Sequence, residues 1–241
     1  MFWPVILTIV FADETADQLL LKVANRLQGF DRSMIVESNV IKKGKIKKSQ
    51  EFNISLHWPT NQSITKMTLI EFIKPKRKSG VKYWEHIFSK ENLVKKWITM
   101  PVTGKLKDIT KKSPKTNDFD FSELQLTSKI ISNHNNTIIQ NDELQSKNLV
   151  VIEAISKNGR KKKLLYVDNS LFLIQKVETF NKKNKMLKSI TCDKFEMINK
   201  FKIATQISID DFKKKHTVDI KIKNFQFTEF PDITIFNPRG K

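Results

Sequence analysis

Between Glu51 and Trp58 the chain alternates without interruption, Phe52, Ile54, Leu56 and Trp58 against Glu51, Asn53, Ser55 and His57. Successive side chains of a strand point to opposite faces, so this stretch predicts a strand with one apolar and one wet side. Such a strand cannot bury its apolar side alone. Runs of the same kind recur at 34–41, 66–73, 81–88, 96–100, 149–155, 163–167, 171–180, 186–192, 203–209 and 217–227, separated by short polar connectors. Consecutive strands with short connectors predict an antiparallel meander.

Two details refine that expectation. In the last run Val218, Ile220 and Ile222 share one parity and Phe225 and Phe227 the other, so the chain changes face near Lys223 and Asn224 through a bulge or bend, a device that a curving sheet needs. Between the runs at 171–180 and 186–192 lies NKKNK, where asparagine tolerates the left-handed backbone of a tight reversal. Lysines at such a tip are solvated and discourage edge-to-edge association.

One helix announces itself. Thr15-Ala-Asp-Gln18 has the form of a capping box, and Ala16, Leu19, Leu20, Val23, Ala24 and Leu27 follow at helical spacing, with Gly29 where a C-terminal cap belongs. This amphipathic helix must lie on something apolar. The segment 111–126 is less regular, and Phe119, Phe121 and Leu124 predict a short helix or loop there.

With 241 residues, 39% of them hydrophobic, and only six glycines and seven prolines, the chain has the composition of one compact domain. No run of 18 apolar residues is present to span a membrane as a helix. The start, MFWPVILTIVFADETA, has an apolar run at 2–11 followed by small residues at the two positions a signal peptidase inspects. It predicts an export signal over 1–12, a mature start at Asp13 and a single domain over 13–241. No cysteine follows the apolar run, so the exported protein is expected to be free, not lipid-anchored. The single cysteine, Cys192, excludes an intrachain disulfide and a cysteine-based zinc site, and reads as a small core residue.

Charge admits two readings. The chain has 44 Lys+Arg against 25 Asp+Glu, a formal net charge of +19, which is the footprint of a phosphate-binding protein. The densest clusters, KPKRK at 74–78 and RKKK at 160–163, nevertheless lie between strand-like runs, where a solvated loop suffices. A polyanion carrier should bring basic residues and exposed aromatics to one groove, whereas here Phe52 and Trp58 fall on apolar faces.

Catalytic and metal signatures are missing from the sequence. His57, His86, His134 and His216 are too far apart for an HExxH pair and read as surface or strand-end residues. No nucleophile elbow, P-loop or dinucleotide fingerprint occurs, and Asp118, Asp120 and Glu123 read as helix-cap acids. No catalytic residue, metal or cofactor is expected, and the chain does not read as an enzyme.

A series of short motifs, in order, resembles the LolA-like family of periplasmic lipoprotein-sorting proteins, especially its longer outer membrane lipoprotein-sorting branch. WITMP at 97–101 is similar to that branch's aromatic-x-x-Leu-Pro strand end, and NDFDFSEL at 117–124 to its Ser-Asp-Phe segment. VIEA at 151–154, VETFN at 177–181 and LKSI at 187–190 resemble its next strand and hairpin, and TVDIKI at 217–222 with IFNPR at 235–239 its closing strand and tail. The resemblance covers roughly residues 15–239. A glycine common in the family before Ser-Asp-Phe is replaced here around Lys115 and Thr116.

The resemblance implies a mainly β (α+β) fold, a strongly curved antiparallel sheet forming an unclosed β-barrel with helices covering its concave apolar face. It implies a soluble, monomeric periplasmic carrier that holds acyl chains of lipoproteins or lipids in a hydrophobic cavity and moves them from the inner towards the outer membrane. Its partners would be an inner-membrane transporter and an outer-membrane acceptor, with no specific nucleic acid. The acyl-binding residues expected are Phe52, Ile54, Leu56, Trp58, Val218, Ile220 and Ile222, with Leu20 on the helix that closes over them. The competing reading is a cytoplasmic nucleic-acid-binding β-protein that uses the basic loops.

Overall fold

The structure, a computed structural model, describes residues 14–60, 63–90, 93–100, 102–111, 126–140, 144, 148–229 and 232–239. The export signal expected over 1–12 and the acids Asp118, Asp120 and Glu123 lie outside the described residues.

Within them, six strands come first: β1 (Arg32–Lys42), β2 (Lys45–His57), β3 (Ile64–Lys74), β4 (Lys82–Phe88), β5 (Val94–Thr99) and β6 (Leu106–Asp108). Seven more follow: β7 (His134–Ile139), β8 (Leu149–Ser156), β9 (Lys161–Asp168), β10 (Leu173–Asn181), β11 (Met186–Ile198), β12 (Phe201–Asp211) and β13 (His216–Phe227). Helix α1 (Ala16–Asn25) precedes the first strand and α2 (Ser128–Ser132) stands between β6 and β7.

All thirteen strands form one antiparallel sheet in the order β6-β5-β4-β3-β2-β1-β13-β12-β11-β10-β9-β8-β7. Two meanders are therefore joined by the pairing of the first strand with the last. The sheet is curled and unclosed, with β6 and β7 at its ends.

Tight turns give the hairpins their register. Lys43 and Gly44 both have positive φ, 52° and 70°, as a two-residue turn matching strand twist requires. At the β10–β11 tip the Asn181 side-chain carbonyl accepts from Lys183 N at 2.9 Å and Lys185 N at 3.0 Å, and Asn184 takes φ 55°. The expected change of face in β13 is present: the register against β1 shifts between Ser33 and Ile35, and Asn224 takes φ 49°.

Strand pairing places an apolar ladder on one face. Val40 opposes Val218, which opposes Ile209, which opposes Ile190. The row continues through Val177, Leu165, Ile152 and Ile138 on β10, β9, β8 and β7. Directly opposed side chains share a face, so one side of the sheet is apolar from β1 to β7.

α1 lies on this ladder face at the β8–β9 end, where Ala16, Leu19 and Leu20 cluster with Ile152, Ala154, Leu165 and Val167. Its capping box forms as expected, with Thr15 N donating to Gln18 Oε1 at 2.9 Å and Gln18 N to Thr15 Oγ1 at 3.3 Å. The helix ends at Asn25, before the expected Gly29, whose φ of 81° serves the reversal into β1.

The opposite face is sealed at its β3–β5 side by the C-terminal segment. Phe236, 1% exposed, packs with Leu69 and Trp84, and the Ile235 carbonyl accepts from Trp84 Nε1 at 2.9 Å. His86 is buried here, its Nε2 2.9 Å from the Phe236 carbonyl oxygen, and His57 Nδ1 lies 2.6 Å from Asp31 Oδ2. His57 ends β2, as a strand-end residue should, whereas His86 lies inside β4 and is not the surface or strand-end group the sequence led us to expect, because the tail covers its strand. His134 and His216 do begin strands.

Candidate functional site

Seven of the eight expected site residues come together at the centre of the ladder face. Phe52 is flanked by Val36 and Phe72, Ile54 by Met34 and Ile70, and Leu56 by Arg32 and Thr68. On the other side of β1, Ile222 also opposes Val36, while Ile220 opposes Ser38 and Val218 opposes Val40. Strand β1 thus joins the two stripes read from the sequence. Phe52, Ile54, Leu56, Val218 and Ile220 are 3, 7, 8, 1 and 2% exposed, and Trp58 and Ile222 pack half-buried against them.

Leu20 stands apart. It is buried in the cluster under α1, and Val177 on β10 is the side chain that touches both groups. Among the described residues, the central cluster draws only on strand residues and Trp58, whereas the β8–β9 end is filled by the helix.

The central face is not uniformly apolar. Ser38 and Gln50 oppose each other across β1 and β2 and are buried, as is Thr68. Gln50 Nε2 and Thr68 Oγ1 are enclosed without a hydrogen-bond partner. Leaving such a group unpaired costs about 1–3 kcal/mol.

One end of this face gathers cations. Arg32 donates to the carbonyls of Leu27 at 2.6 Å and Phe30 at 3.1 Å, and its guanidinium sits 4.4 Å from the Trp58 ring centroid. Burial lowers its pKa to about 10; Asp31 works against this and Arg26 adds to it. Lys66, on the parity of Thr68 and Ile70, is lowered by burial, with Glu85 opposing and Arg32 contributing. Beside them Phe30, Phe201 and Phe227 stack edge-on or tilted at 5.0 to 5.8 Å, and Lys200 lies 5.6 Å from two of the rings. These aromatics line a half-open cavity of about 430 Å³.

Sequence reasoning missed Ser38, Gln50, Thr68, Arg32 and Lys66. A signal for two of them was present, since Lys66 and Thr68 share parity with Ile70 and Phe72. No group of three or more His, Cys, Asp or Glu that could hold a metal ion occurs among the described residues. Cys192 packs against the central cluster, and burial raises its pKa to about 11, with Asp193 adding to the rise.

Residues 65–240 match a family model described as an uncharacterized protein, "-like". No curated protein sequence matches the chain. Among solved structures, a DUF1329 family protein from Desulfovibrio piger superposes with a TM-score of 0.73 at 14% identity, covering 92% of this chain and 95% of that one. A domain assigned as an outer membrane lipoprotein-sorting protein from Vibrio parahaemolyticus gives 0.73 at 15% identity, over 93% and 97%. A LolA superfamily protein from Nitrosomonas europaea gives 0.65 at 14% identity, over 93% and 98%. At these identities the likeness is one of fold.

Proposed function

Because residues 65–240 belong to the family of the matching model and the chain shares its fold with LolA-superfamily and lipoprotein-sorting proteins, we propose that it is a carrier for acylated molecules. Its cargo is the acyl chains of lipoproteins or lipids, held against the stripe of Phe52, Ile54, Leu56, Trp58, Val218, Ile220 and Ile222. The observation that carries this reading is the makeup of that stripe: a broad band of buried apolar side chains to which neither helix contributes among the described residues, with Gln50 and Thr68 atoms enclosed in it without partners. Burying each acyl methylene contributes about 0.8 kcal/mol, so binding needs no catalytic group.

In this mechanism α1 and the chain that follows it act as a lid. Leu19 and Leu20 anchor it on the β8–β9 end, and Arg32 holds the carbonyls beyond its C-terminus. Moving this lid exposes more of the ladder face for loading and release. Residues 1–12 direct export, and residues 13–241 work as one unit in the periplasm between an inner-membrane transporter and an outer-membrane acceptor.

The test is saturable binding of a fluorescent fatty-acyl probe to the purified protein. Leu56→Glu should weaken binding at least tenfold while far-ultraviolet circular dichroism is retained, because a carboxylate hydrates or repels at that point. No saturable binding by the wild type would remove the carrier reading. N-terminal sequencing of the native protein should begin at Asp13.

A further inference from the structure

We propose that the turns along one rim of the sheet form a docking surface for an anionic lipid bilayer. In an antiparallel meander, alternate connections fall at opposite rims, and the pairing of β1 with β13 carries this alternation across both halves. The β1–β2, β3–β4, β5–β6, β8–β9, β10–β11 and β12–β13 connections therefore share one rim. Their sequences are KKGK at 42–45, KPKRKSG at 74–80, MPVTGK at 100–105, KNGRK at 157–161, NKKNK at 181–185 and DFKKK at 211–215, with Asp211 their one acid, its Oδ1 accepting from Lys214 N at 2.8 Å.

Connections at the other rim read differently: WPTNQS at 58–63, SKENL at 89–93, NSLF at 169–172 and NK at 199–200. A lysine-rich composition alone would load both rims alike. Like charges crowd together beside the 74–80 turn: the Lys78 pKa is lowered by burial first and then by Lys48 of β2 and Arg77 of the same turn.

Apolar side chains stand among these lysines. Ile46 beside the first turn is 61% exposed, Val102 94% and Phe212 49%. A surface that reads nucleic acid would favour arginine forks and stacking platforms, whereas lysines with a few protruding apolar residues suit the interface of a charged bilayer. Docking here also brings the Val40–Val218 end of the apolar face towards the membrane, since Val40 lies near the end of β1 and Val218 near the start of β13. The inference goes beyond the carrier reading and stands without it.

The experiment is co-sedimentation of the full chain with vesicles of phosphatidylcholine alone or mixed with the anionic lipid phosphatidylglycerol. Binding should require the anionic lipid and weaken as salt rises. The combined change Lys213→Gln, Lys214→Gln, Lys215→Gln should weaken it roughly hundredfold, and Phe212→Ser should weaken it severalfold at high salt too. Lys90→Gln, Lys95→Gln and Lys194→Gln together, off this rim, should have little effect.

Equal binding to neutral vesicles, or equal loss from the off-rim variant, overturns the proposal. So does displacement from vesicles by duplex DNA at physiological salt, which would make the rim a nucleic-acid surface. Acyl-probe affinity of the Lys213–Lys215 variant should stay at the wild-type value, which separates failure of the docking rim from failure of the carrier reading.

Discussion

The ladder face has two parts built from the same strand pattern. At the β8–β9 end, Ile152 and Leu165 meet Leu19 and Leu20 of α1; at the centre, Phe52, Leu56 and Ile220 meet other strand residues. Both parts are buried to similar depth. Both enclose polar atoms without partners, Gln50 Nε2 and Thr68 Oγ1 at the centre and Asn136 Oδ1 beside α1 and α2, but only the centre is bordered by the cations Arg32 and Lys66. Alternation along a strand thus specifies which face is apolar, while the elements laid upon that face determine whether it works as packing or as a binding surface.

The strongest test of this contrast is a pair of truncations. Leu20→Ala should destabilise by about 4 kcal/mol, because the helix cannot collapse into the space left behind, while Leu56→Ala should cost about 2 kcal/mol or less and strike mainly at acyl binding. Urea midpoints of the two variants measure this. Equal losses would mean that the centre is ordinary core.

The two parts were unequally legible in sequence. The capping box at Thr15 and Gln18, the hairpin at 181–185 and the change of face at Asn224 are local features, decided by residues within a few positions of one another. The stripe at 52–58 was equally plain because its alternation has no exceptions. Strand β7 escaped notice because HNNTII carries only two apolar residues, both at its end, and β6 has three residues in all.

What no local pattern reveals is the pairing of β1 with β13, which puts Val36 between Phe52 and Ile222. For the same reason Leu20 could be recognised as buried but not assigned to the right cluster. Its partners Ile152 and Leu165 lie more than a hundred residues downstream, and helical periodicity says only that it needs an apolar neighbour.

Cys192 supplies a reporter inside the central part. With its pKa near 11, the thiol is almost wholly protonated at pH 8 and should react with a thiol reagent roughly hundredfold more slowly than the same chain in urea. A bound acyl probe should slow it further if the stripe is the cargo site. Reaction at the denatured rate would mean that the centre opens freely to water, and the contrast with the helix-covered end would then be one of exposure instead of chemistry.

Lys66 gives the smallest and most specific test. Its ammonium has no ion pair among the described residues, and burial, the largest cause, lowers its pKa while Glu85 only partly compensates. A lysine whose pKa is lower folded than unfolded weakens the native state at neutral pH, and the penalty is relieved as pH rises through the folded value towards the unfolded one. Lys66→Met should therefore stabilise the protein by about 1 kcal/mol at pH 7, and the advantage should shrink as pH approaches the ordinary lysine range. Arg32 remains in both proteins, so its own lowered pKa largely cancels from the difference. A flat difference between pH 7 and 10 would show that the gain came from packing the methionine, and loss of stability at pH 7 would show that Lys66 has a favourable role in the folded chain. If acyl-probe binding survives Lys66→Met while stability rises, the cation belongs to the border of the stripe and the apolar residues at its centre carry the affinity.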